Sequence, residues 1–267
     1  MTALTIAVGQ MDVSLGDPEV NLARVADLAA AAAARSADWL VLPELWSTGY
    51  DLENASRHAT TTDQGIFAQT AVLARTHRLH IIGSCLSWLG DGRYGNTAVF
   101  WDDHGRILAE YSKIHLFRLM DEHQYLTGGD RLAQVETAWG QVGLSICYDL
   151  RFPELFRAYA LSGVRLVVIP AEWPHPRLAH WQTLLRARAI ENQMFVVACN
   201  RVGRTGSTEF CGHSAIIDPW GEALVEGGES EELLVATIDL DQVEAVRRKI
   251  PIFSDRRPHL YQTQTAV

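Results

Sequence analysis

The chain has 267 residues, of which 48% are hydrophobic and 21% are charged, a composition typical of a globular protein rather than a disordered or fibrous one. Its formal net charge is −9 and its pI is about 5.5, so nucleic acids and anionic membrane surfaces would be repelled and are not expected as partners. The first residues lack the basic stretch that opens a signal peptide, and the four cysteines form neither a C-x-x-C pair nor a zinc-binding spacing. We therefore expect a cytoplasmic protein without a metal or another cofactor.

Strand-like and helix-like patterns alternate along the chain, which favours an α/β fold. The first half predicts a strand at 4–8, a helix from Asp17 to about Arg35, a strand at 39–42, a helix at 65–77, and strands within 80–89, 96–102, 105–116 and 139–147. The second half predicts a helix at 152–163, a strand at 164–170, a helix at 179–193, a strand at 194–200, a hairpin at 213–227 and a strand at 232–240. No linker rich in Gly, Ser or Pro divides these elements, so we expect one domain over residues 1–267 with a C-terminal tail from about residue 251.

Reactive side chains directly follow three of the wholly apolar strands. Glu44 follows the run "LVLP", Cys147 follows "GLSI", and Glu172 follows "VVIPA". A fourth polar residue, Lys113, interrupts the aromatic and apolar stretch "YSKIHLF". Because reactive groups of α/β proteins collect beyond the carboxyl ends of buried strands, these four residues are candidates for a common site.

Each of the four residues also has a purely structural interpretation. Glu44 could mark the point where a strand meets water, and the aliphatic stem of Lys113 could carry its ammonium out to solvent. Cys147 could be a packed core thiol. Glu172 could be a cap, or the ion-pair partner of an arginine on the predicted helix at 179–193. No single one of these residues establishes a function.

Together, the residues fill the roles of a covalent hydrolase. A thiol must lose its proton to attack, and a neighbouring carboxylate can accept that proton and later give it to a leaving group. Attack on a carbonyl or nitrile carbon develops negative charge, which an ammonium and a backbone N–H can stabilise. The combination predicts Glu44 as the base, Lys113 as the stabilising cation and Cys147 as the nucleophile.

Histidine offers a competing assignment of the base, because cysteine–histidine pairs are a common hydrolytic arrangement. The chain contains ten histidines, and His115, His180 and His213 stand in patterned contexts. The apolar residues around each of the three favour hydrogen-bonded structural roles. Composition alone does not remove them as candidates.

Around these residues the sequence resembles the nitrilase superfamily of carbon–nitrogen hydrolases. The resemblance rests on six segments in the family's order: "LVLPELWSTGY", "YSKIHLF", "GLSICYDLRFPEL", "AHWQTLLRARAIENQMFVVACN", "GHSAIIDPWGE" and "IPIFSDRRPHLY". The similarity extends from about Leu4 to Tyr261, which is nearly the whole chain. Six ordered segments are far more specific than a lone Glu, Lys or Cys.

The resemblance implies a four-layer αββα sandwich of two mixed sheets that forms a homodimer through its helices. It implies catalytic roles for Glu44, Lys113 and Cys147, and a second oxyanion donor in the backbone N–H of Tyr148. It also implies a further glutamate, Glu122 in "DEHQYLTGGD", that positions the substrate and the lysine. The connection "RLMD" ahead of that glutamate is shorter than in many relatives, so the size of the substrate stays open.

The segments "CYDLRFPEL" and "DPWGE" are similar to those of the Nit-type amidases, including ω-amidases that hydrolyse the terminal amide of 2-oxoglutaramate. Such a substrate carries a carboxylate, and Arg186 matches the position where those enzymes present a cation, with Arg151 and Arg177 as less specific candidates. Glu172 and Trp173 are predicted to bind substrate as well. A general short-chain aliphatic amidase, an N-carbamoyl amino-acid hydrolase and a non-catalytic binding protein of the family are the alternatives.

Overall fold

A computed structural model describes residues 3–261 of the chain. The strands are β1 (Leu4–Gln10), β2 (Trp39–Val41), β3 (His80–Gly90), β4 (Arg93–Trp101), β5 (Ile107–Ser112), β6 (Ala133–Thr137), β7 (Gly140–Leu144), β8 (Leu166–Ala171), β9 (Phe195–Asn200), β10 (Arg204–Thr205), β11 (Thr208–Glu209), β12 (Ala215–Ile217), β13 (Ala223–Glu226) and β14 (Glu232–Ile238). The helices are α1 (Pro18–Ala34), α2 (Ala55–His58), α3 (Gly65–His77), α4 (Glu122–Tyr125), α5 (Pro153–Leu161), α6 (Leu178–Asn192), α7 (Asp241–Lys249) and α8 (Ile252–Asp255).

Two six-stranded sheets share one topology. The first has the strand order β14-β1-β2-β3-β4-β5, and the second has the order β6-β7-β8-β9-β12-β13. In both, the successive strand contacts are antiparallel, parallel, parallel, antiparallel and antiparallel. The two sheets therefore match in topology, with β14 returning from the C-terminal part of the chain to complete the first sheet, although no repeat is visible in the sequence.

Successive side chains of β1 point to opposite faces of the first sheet and belong to two different apolar clusters. Ile6 and Val8 of β1 belong to an apolar cluster shared with Leu144 and Val168 of the second sheet, so these faces pack against each other. Ala7, which lies between them, belongs to a second cluster with buried residues of α1 and α3. Helices α5 and α6 pack on the second sheet, and their buried side chains belong to the same cluster as Ile6 and Val8. The layers are helices, sheet, sheet and helices, which confirms the predicted αββα sandwich.

The shared apolar cluster also bears on domain organisation. Because it contains residues of both sheets and of α5, α6 and α7, we propose that the chain folds as one domain. The predicted tail from about residue 251 forms α8 and a turn at Pro258–Leu260, whereas residues 262–267 lie outside the described part of the chain. Across residues 3–261, every helix is too short or too polar to cross a membrane.

Local sequence signals predict several elements closely. The helix at 65–77 has the predicted limits, and Asp17 caps α1 by accepting a hydrogen bond from the backbone N of Val20 at 3.1 Å. The predicted strand at 105–116 is too long, because β5 ends at Ser112 and Lys113 lies just beyond it. There the backbone N of Lys113 still donates to the carbonyl of Asn96 on β4 at 2.9 Å, but the lysine carbonyl accepts from the backbone N of Gly129 in a loop at 2.9 Å, and the regular pairing ends. The short strand β6 was not predicted.

Candidate active site

The ammonium of Lys113 lies between two carboxylates in the interior of the protein. Its Nζ is 2.7 Å from Oε1 of Glu44 and 2.6 Å from Oε1 of Glu122. All three side chains are completely buried. The structure therefore brings together three of the residues that the sequence singled out, although Glu44 and Glu122 come from distant segments.

Glu44 follows β2 and is held by hydrogen bonds to both of its oxygens. Oε2 accepts from the backbone N of Glu172, which follows β8, at 2.9 Å. Oε1 accepts from Nδ2 of Asn96 on β4 at 2.7 Å, in addition to the lysine. The carboxylate is thereby fixed by elements of both sheets, and its position depends on how the sheets pack.

Glu122 is the first residue of α4 and is equally constrained. Its Oε2 accepts a hydrogen bond from the backbone N of Phe117 at 2.7 Å. The hydroxyl of Tyr50 lies 2.6 Å from Oε1 of Glu122 and 3.2 Å from Oε1 of Glu44, so it bridges the two carboxylates. Burial is the largest cause that raises the pKa of the Tyr50 hydroxyl, and the charges of Glu122 and Glu44 add to it.

Cys147 opens the 3-10 turn Cys147–Arg151 that follows β7. Its φ of 44° lies in the left-handed region, which is uncommon and costly for a residue other than glycine. Only 5% of the residue is exposed. A strained nucleophile candidate at a tight strand-to-turn connection points its side chain away from the strand, toward the site.

The charges of the cluster set the protonation of its members. Burial alone would lower the pKa of Lys113, but the charges of Glu122 and Glu44 raise it well above its usual value, so the ammonium form persists. Burial raises the pKa of the Cys147 thiol, and the charge of Glu44 and a hydrogen bond to it raise the pKa further, against the opposing effect of Lys113. The thiol therefore rests in its neutral form.

A small cavity gives access to the thiol. Its lining consists of Phe117, Cys147, Tyr148, Arg151, Glu172, Trp173, Pro174 and Arg177. A larger outer cavity shares Phe117, Pro174 and Arg177 with it, and the short loop that contains Leu119 and Met120 borders this outer space. Within the described residues, the backbone N–H of Tyr148 donates to no protein acceptor, which leaves it available next to the thiol.

Glu172 and Trp173, which the sequence predicts to bind substrate, line the cavity, and Glu172 pairs with an arginine outside the predicted helix at 179–193. Its Oε2 accepts from Nη1 of Arg201 at 3.1 Å, not from an arginine of α6, because the end of β9 lies beside the end of β8. Burial raises the pKa of Glu172 to about 8, with Arg201 opposing the shift. Its Oε1 is buried without a hydrogen-bond partner among the described residues. Trp173 donates from Nε1 to the carbonyl of Arg177 at 2.9 Å.

Arg186, which the sequence predicts to contact substrate, is not among the residues that line this cavity. It pairs with Glu226 of β13 at 2.9 Å. Arg188, the other arginine of α6, donates to the carbonyl of Leu150 and pairs with Glu191.

Two other arginines reach the cavity instead. The guanidinium of Arg151 lies 4.8 Å from the ring centroid of Trp173, and that of Arg177 lies 5.5 Å from the ring centroid of Phe117. Arg151 and Arg177 are the arginines that the sequence analysis treated as less specific candidates for binding a substrate carboxylate.

The competing histidines are committed to other contacts. His115 lies 2.7 Å from Asp149, His180 lies 3.2 Å from Arg151, and His213 lies 3.2 Å from Glu226. Within residues 3–261, the lining of the cavity includes none of these histidines. The geometry therefore favours Glu44 as the group that faces the thiol.

Sequence reasoning missed several residues that organise the site: Tyr50, Asn96, Asp149 and Arg201. Tyr50 and Asp149 stand inside the quoted segments "LVLPELWSTGY" and "GLSICYDLRFPEL", where a polar residue near the candidates could have been noted. Asn96 and Arg201 carry no local signal, because a lone Asn on a strand or a lone Arg after one is ordinary.

Comparison with known proteins identifies the family and agrees with the fold. A model of the carbon–nitrogen hydrolase family matches residues 5–248. Over 257 residues the chain is 44% identical to the 2-oxoglutaramate amidase of Bacillus subtilis strain 168. The matched region covers 96% of this chain and 99% of that protein. The chain therefore belongs to the carbon–nitrogen hydrolase family.

Solved structures show the same architecture. A CN-hydrolase superfamily protein from Xanthomonas campestris with an arsenic adduct in its active site has a TM-score of 0.90 and 31% identity, over 96% of this chain and 98% of that one. A mutant amidase from Nesterenkonia sp. AN1, in which acrylamide has added to the active-site cysteine, has a TM-score of 0.83 and 29% identity. The match covers 94% of this chain and 99% of that one. The fold of this chain is thus shared with hydrolases that carry a reactive cysteine.

Arg201 offers a test of the buried hydrogen bonds beside the cavity. We expect Arg201→Met to lower the free energy of unfolding by about 3 kcal/mol, because the change leaves the carboxyl of Glu172, the carboxylate of Asp12 and nearby carbonyls without their donor. The matched control is Arg204→Met, which removes an exposed pair with Glu209 at the same 3.1 Å separation and should cost no more than about 1 kcal/mol. Urea denaturation at pH 7 measures both variants, and equal losses would contradict the assignment.

Proposed function

We propose that the protein is an amidase that cleaves a small linear amide through a thioester on Cys147. The observation that carries this proposal is the buried cluster of Glu44, Lys113 and Glu122 beside a neutral thiol. A carboxylate, an ammonium and a thiol supply the base, the oxyanion partner and the nucleophile that amide cleavage requires. Substrate is a small molecule, because the cavity that reaches the thiol is narrow.

In the first half of the reaction, the sulfur of Cys147 attacks the amide carbon while Glu44 accepts the thiol proton. The transfer accompanies the attack, since the raised pKa of the thiol disfavours a free thiolate. Lys113 and the backbone N–H of Tyr148 stabilise the negative oxygen of the tetrahedral intermediate. Glu44 then protonates the leaving nitrogen, ammonia departs, and the acyl group stays on the sulfur.

In the second half, water attacks the thioester carbon as Glu44 removes a proton from it. The carbon–sulfur bond breaks, the thiol regains its proton, and the carboxylic acid leaves. Glu122 takes no proton in this scheme. It holds the lysine ammonium in place at 2.6 Å and is itself held by Tyr50 and by the backbone N of Phe117.

For the substrate we propose an amide that carries a carboxylate, such as 2-oxoglutaramate. The similarity to the Bacillus subtilis 2-oxoglutaramate amidase supports this choice. So do Arg151 and Arg177, two cations that line the cavity beside Cys147. Trp173 places both, because its ring lies under Arg151 and its Nε1 binds the carbonyl of Arg177.

Glu172 contributes a further polar group to the proposed substrate pocket. Its pKa of about 8 keeps it largely neutral at pH 7, so it does not repel a substrate carboxylate. Its Oε1 lacks a protein partner within the described residues and is free to hydrogen-bond with substrate.

We also propose that the protein works as a homodimer in a reducing cytoplasm. Leu161 at the end of α5 forms an apolar surface with Ile252, Phe253 and Tyr261, and half of Leu161 is exposed. The occupant that we propose for this surface is α5 of a second copy. The reducing compartment fits the four cysteines, all of which are buried and unpaired.

The role of Glu44 can be separated from the reactivity of the thiol. We expect Glu44→Gln to reduce amide turnover by about 10³-fold, the scale of general acid–base catalysis. Alkylation of Cys147 by iodoacetamide should persist, because removing the charge of Glu44 lowers the pKa of the thiol and alkylation needs no proton for its leaving group. Ammonia release and mass spectrometry measure the two rates.

The matched control for that experiment is Glu136→Gln, a change on an exposed position of β6 that should leave both rates unchanged. Amide turnover that survives Glu44→Gln, or that survives Cys147→Ala, contradicts the proposed mechanism.

The arginines of the cavity determine the preference for a carboxylate. We expect Arg151→Met and Arg177→Met each to lower kcat/KM for 2-oxoglutaramate about 10- to 100-fold, the scale of a charge-assisted hydrogen bond. The value for propionamide should change less than about threefold, because that substrate has no carboxylate. Arg186→Met is the control and should affect neither substrate. Equal losses for both amides would rule out recognition of the carboxylate by these arginines.

The assembly is tested by light scattering coupled to size exclusion. We expect a mass close to twice the 29.7 kDa of one chain. Leu161→Asp should give the monomer mass, since removing a carboxylate from water into a largely apolar interface is costly. As a control, Leu119→Asp changes an exposed leucine of the outer cavity and should leave the mass at the dimer value. A wild-type protein with the mass of one chain overturns the proposed dimer.

A further inference from the structure

Asp149 lies two residues after the proposed nucleophile and carries a fully buried carboxylate. Its Oδ1 accepts a hydrogen bond from the backbone N of His115 at 3.1 Å and lies 2.7 Å from ring Nδ1 of the same residue. Its Oδ2 accepts from the hydroxyl of Tyr111 at 2.7 Å and from the backbone N of Ile146 at 2.9 Å. Four donors converge on one side chain, so both oxygens are used.

The four donors come from the two segments that meet at the site. Tyr111 and His115 stand two residues before and two residues after Lys113, and Ile146 directly precedes Cys147. The carboxylate of Asp149 therefore joins the lysine segment to the cysteine segment, although the two are far apart in sequence.

This connection bears on the strained turn. With φ at 44°, Cys147 needs its neighbours to hold it in the left-handed region. The side chain of Asp149 accepts from the backbone N of Ile146, and the backbone N of Asp149 donates to the carbonyl of Ile146 at 3.0 Å. Two hydrogen bonds thus close the turn around the cysteine, and one of them comes from the same carboxylate that holds the lysine segment.

The chemistry of the side chain is specific to a carboxylate. All four partners donate, so both oxygens of the side chain must accept. An asparagine has only one acceptor oxygen, and its NH₂ group would face other donors without forming a hydrogen bond. Burying a carboxylate is costly, so its use here goes beyond closing a turn, which a smaller polar residue could do. The ring of His115 adds rigidity, because it stacks on Phe152 with 3.5 Å between centroids and 7° between planes.

We propose that Asp149 is a positioning residue that fixes the distance between the Lys113 ammonium and the Cys147 thiol. It thereby sets the spacing of the two oxyanion donors, the ammonium and the Tyr148 N–H. This inference rests on the proposed amidase mechanism, in which both donors act on one oxygen.

The test compares a reaction that needs the oxyanion donors with one that does not. In Asp149→Asn we expect kcat for amide hydrolysis, per thiol titrated with iodoacetamide, to fall about 100-fold, the scale of one oxyanion donor, with KM changed less than about threefold. The alkylation rate of Cys147 should stay within about threefold, because alkylation forms no oxyanion.

The matched control is Asp102→Asn in the turn between β4 and β5. Asp102 is also buried and accepts hydrogen bonds from the backbone N of His104 and from the backbone N and Nε of Arg106. This variant should lose stability but keep its kcat per titrated thiol. A purely structural role for Asp149 predicts the same behaviour in both variants, and that result would overturn the proposal.

A second variant covers the case in which Asp149→Asn does not fold. The double variant Tyr111→Phe/His115→Ala removes both side-chain donors of the lysine segment and leaves the cysteine turn intact. We expect its kcat per titrated thiol to fall at least about tenfold with alkylation preserved. An unchanged kcat in the folded double variant would overturn the proposal.

Binding of an aldehyde to the thiol tests the role of Asp149 independently of the proposed amidase function. The thiol of Cys147 adds to the aldehyde carbon, its proton passes to the oxygen, and the product occupies the oxyanion site without any amide turnover. Protection of the thiol by propionaldehyde against iodoacetamide should weaken at least about tenfold in Asp149→Asn and stay unchanged in Asp102→Asn. If the wild-type protein releases no ammonia from any amide, the proposed function fails, whereas equal protection in the wild type and in Asp149→Asn overturns the role of Asp149.

Discussion

The ammonium of Lys113 is enclosed by protein on every side, and the site is arranged around the need to compensate that charge. An unpaired ammonium in the interior would cost several kcal/mol, so Glu44 and Glu122 must both approach to within hydrogen-bond distance. Each carboxylate then needs donors of its own, which Asn96 and Tyr50 supply together with backbone amides. One buried charge thus ties together the ends of β2 and β8, the middle of β4 and the start of α4.

The excess of negative charge in this cluster shapes the proposed chemistry. Two carboxylates face one ammonium; burial is the largest cause that raises the pKa of the Cys147 thiol, and the charge of Glu44 adds to it against the opposing effect of Lys113. A thiol that stays neutral at rest is protected from indiscriminate reaction, and in the proposed mechanism it becomes a nucleophile only when a substrate carbon accepts the electron pair as Glu44 takes the proton. The donors that would receive the developing charge are already in place, so little reorganisation accompanies the attack.

The matching sheets explain where the site lies. In each sheet the two parallel contacts place strand ends side by side, and in the sandwich the ends of β2, β7 and β8 come to one region. Glu44, Cys147 and Glu172 follow those three strands. The hydrogen bond from the backbone of Glu172 to Glu44 then joins one sheet directly to the other. The packing that forms the core is therefore the same packing that assembles the candidate active site.

Local sequence patterns were sufficient to predict most of the longer strands, the four longest helices apart from α7 and the reactive residues, because apolar periodicity and a residue's place after a strand are properties of neighbouring positions. They were sufficient for Glu44, Lys113 and Cys147 to be selected as a group. Only the tertiary structure decided that Arg151 lines the cavity while Arg186 pairs with Glu226, since these choices depend on contacts between segments that are remote in sequence. A one-dimensional pattern carries no information about such contacts, because they form only when the sheets and helices pack together.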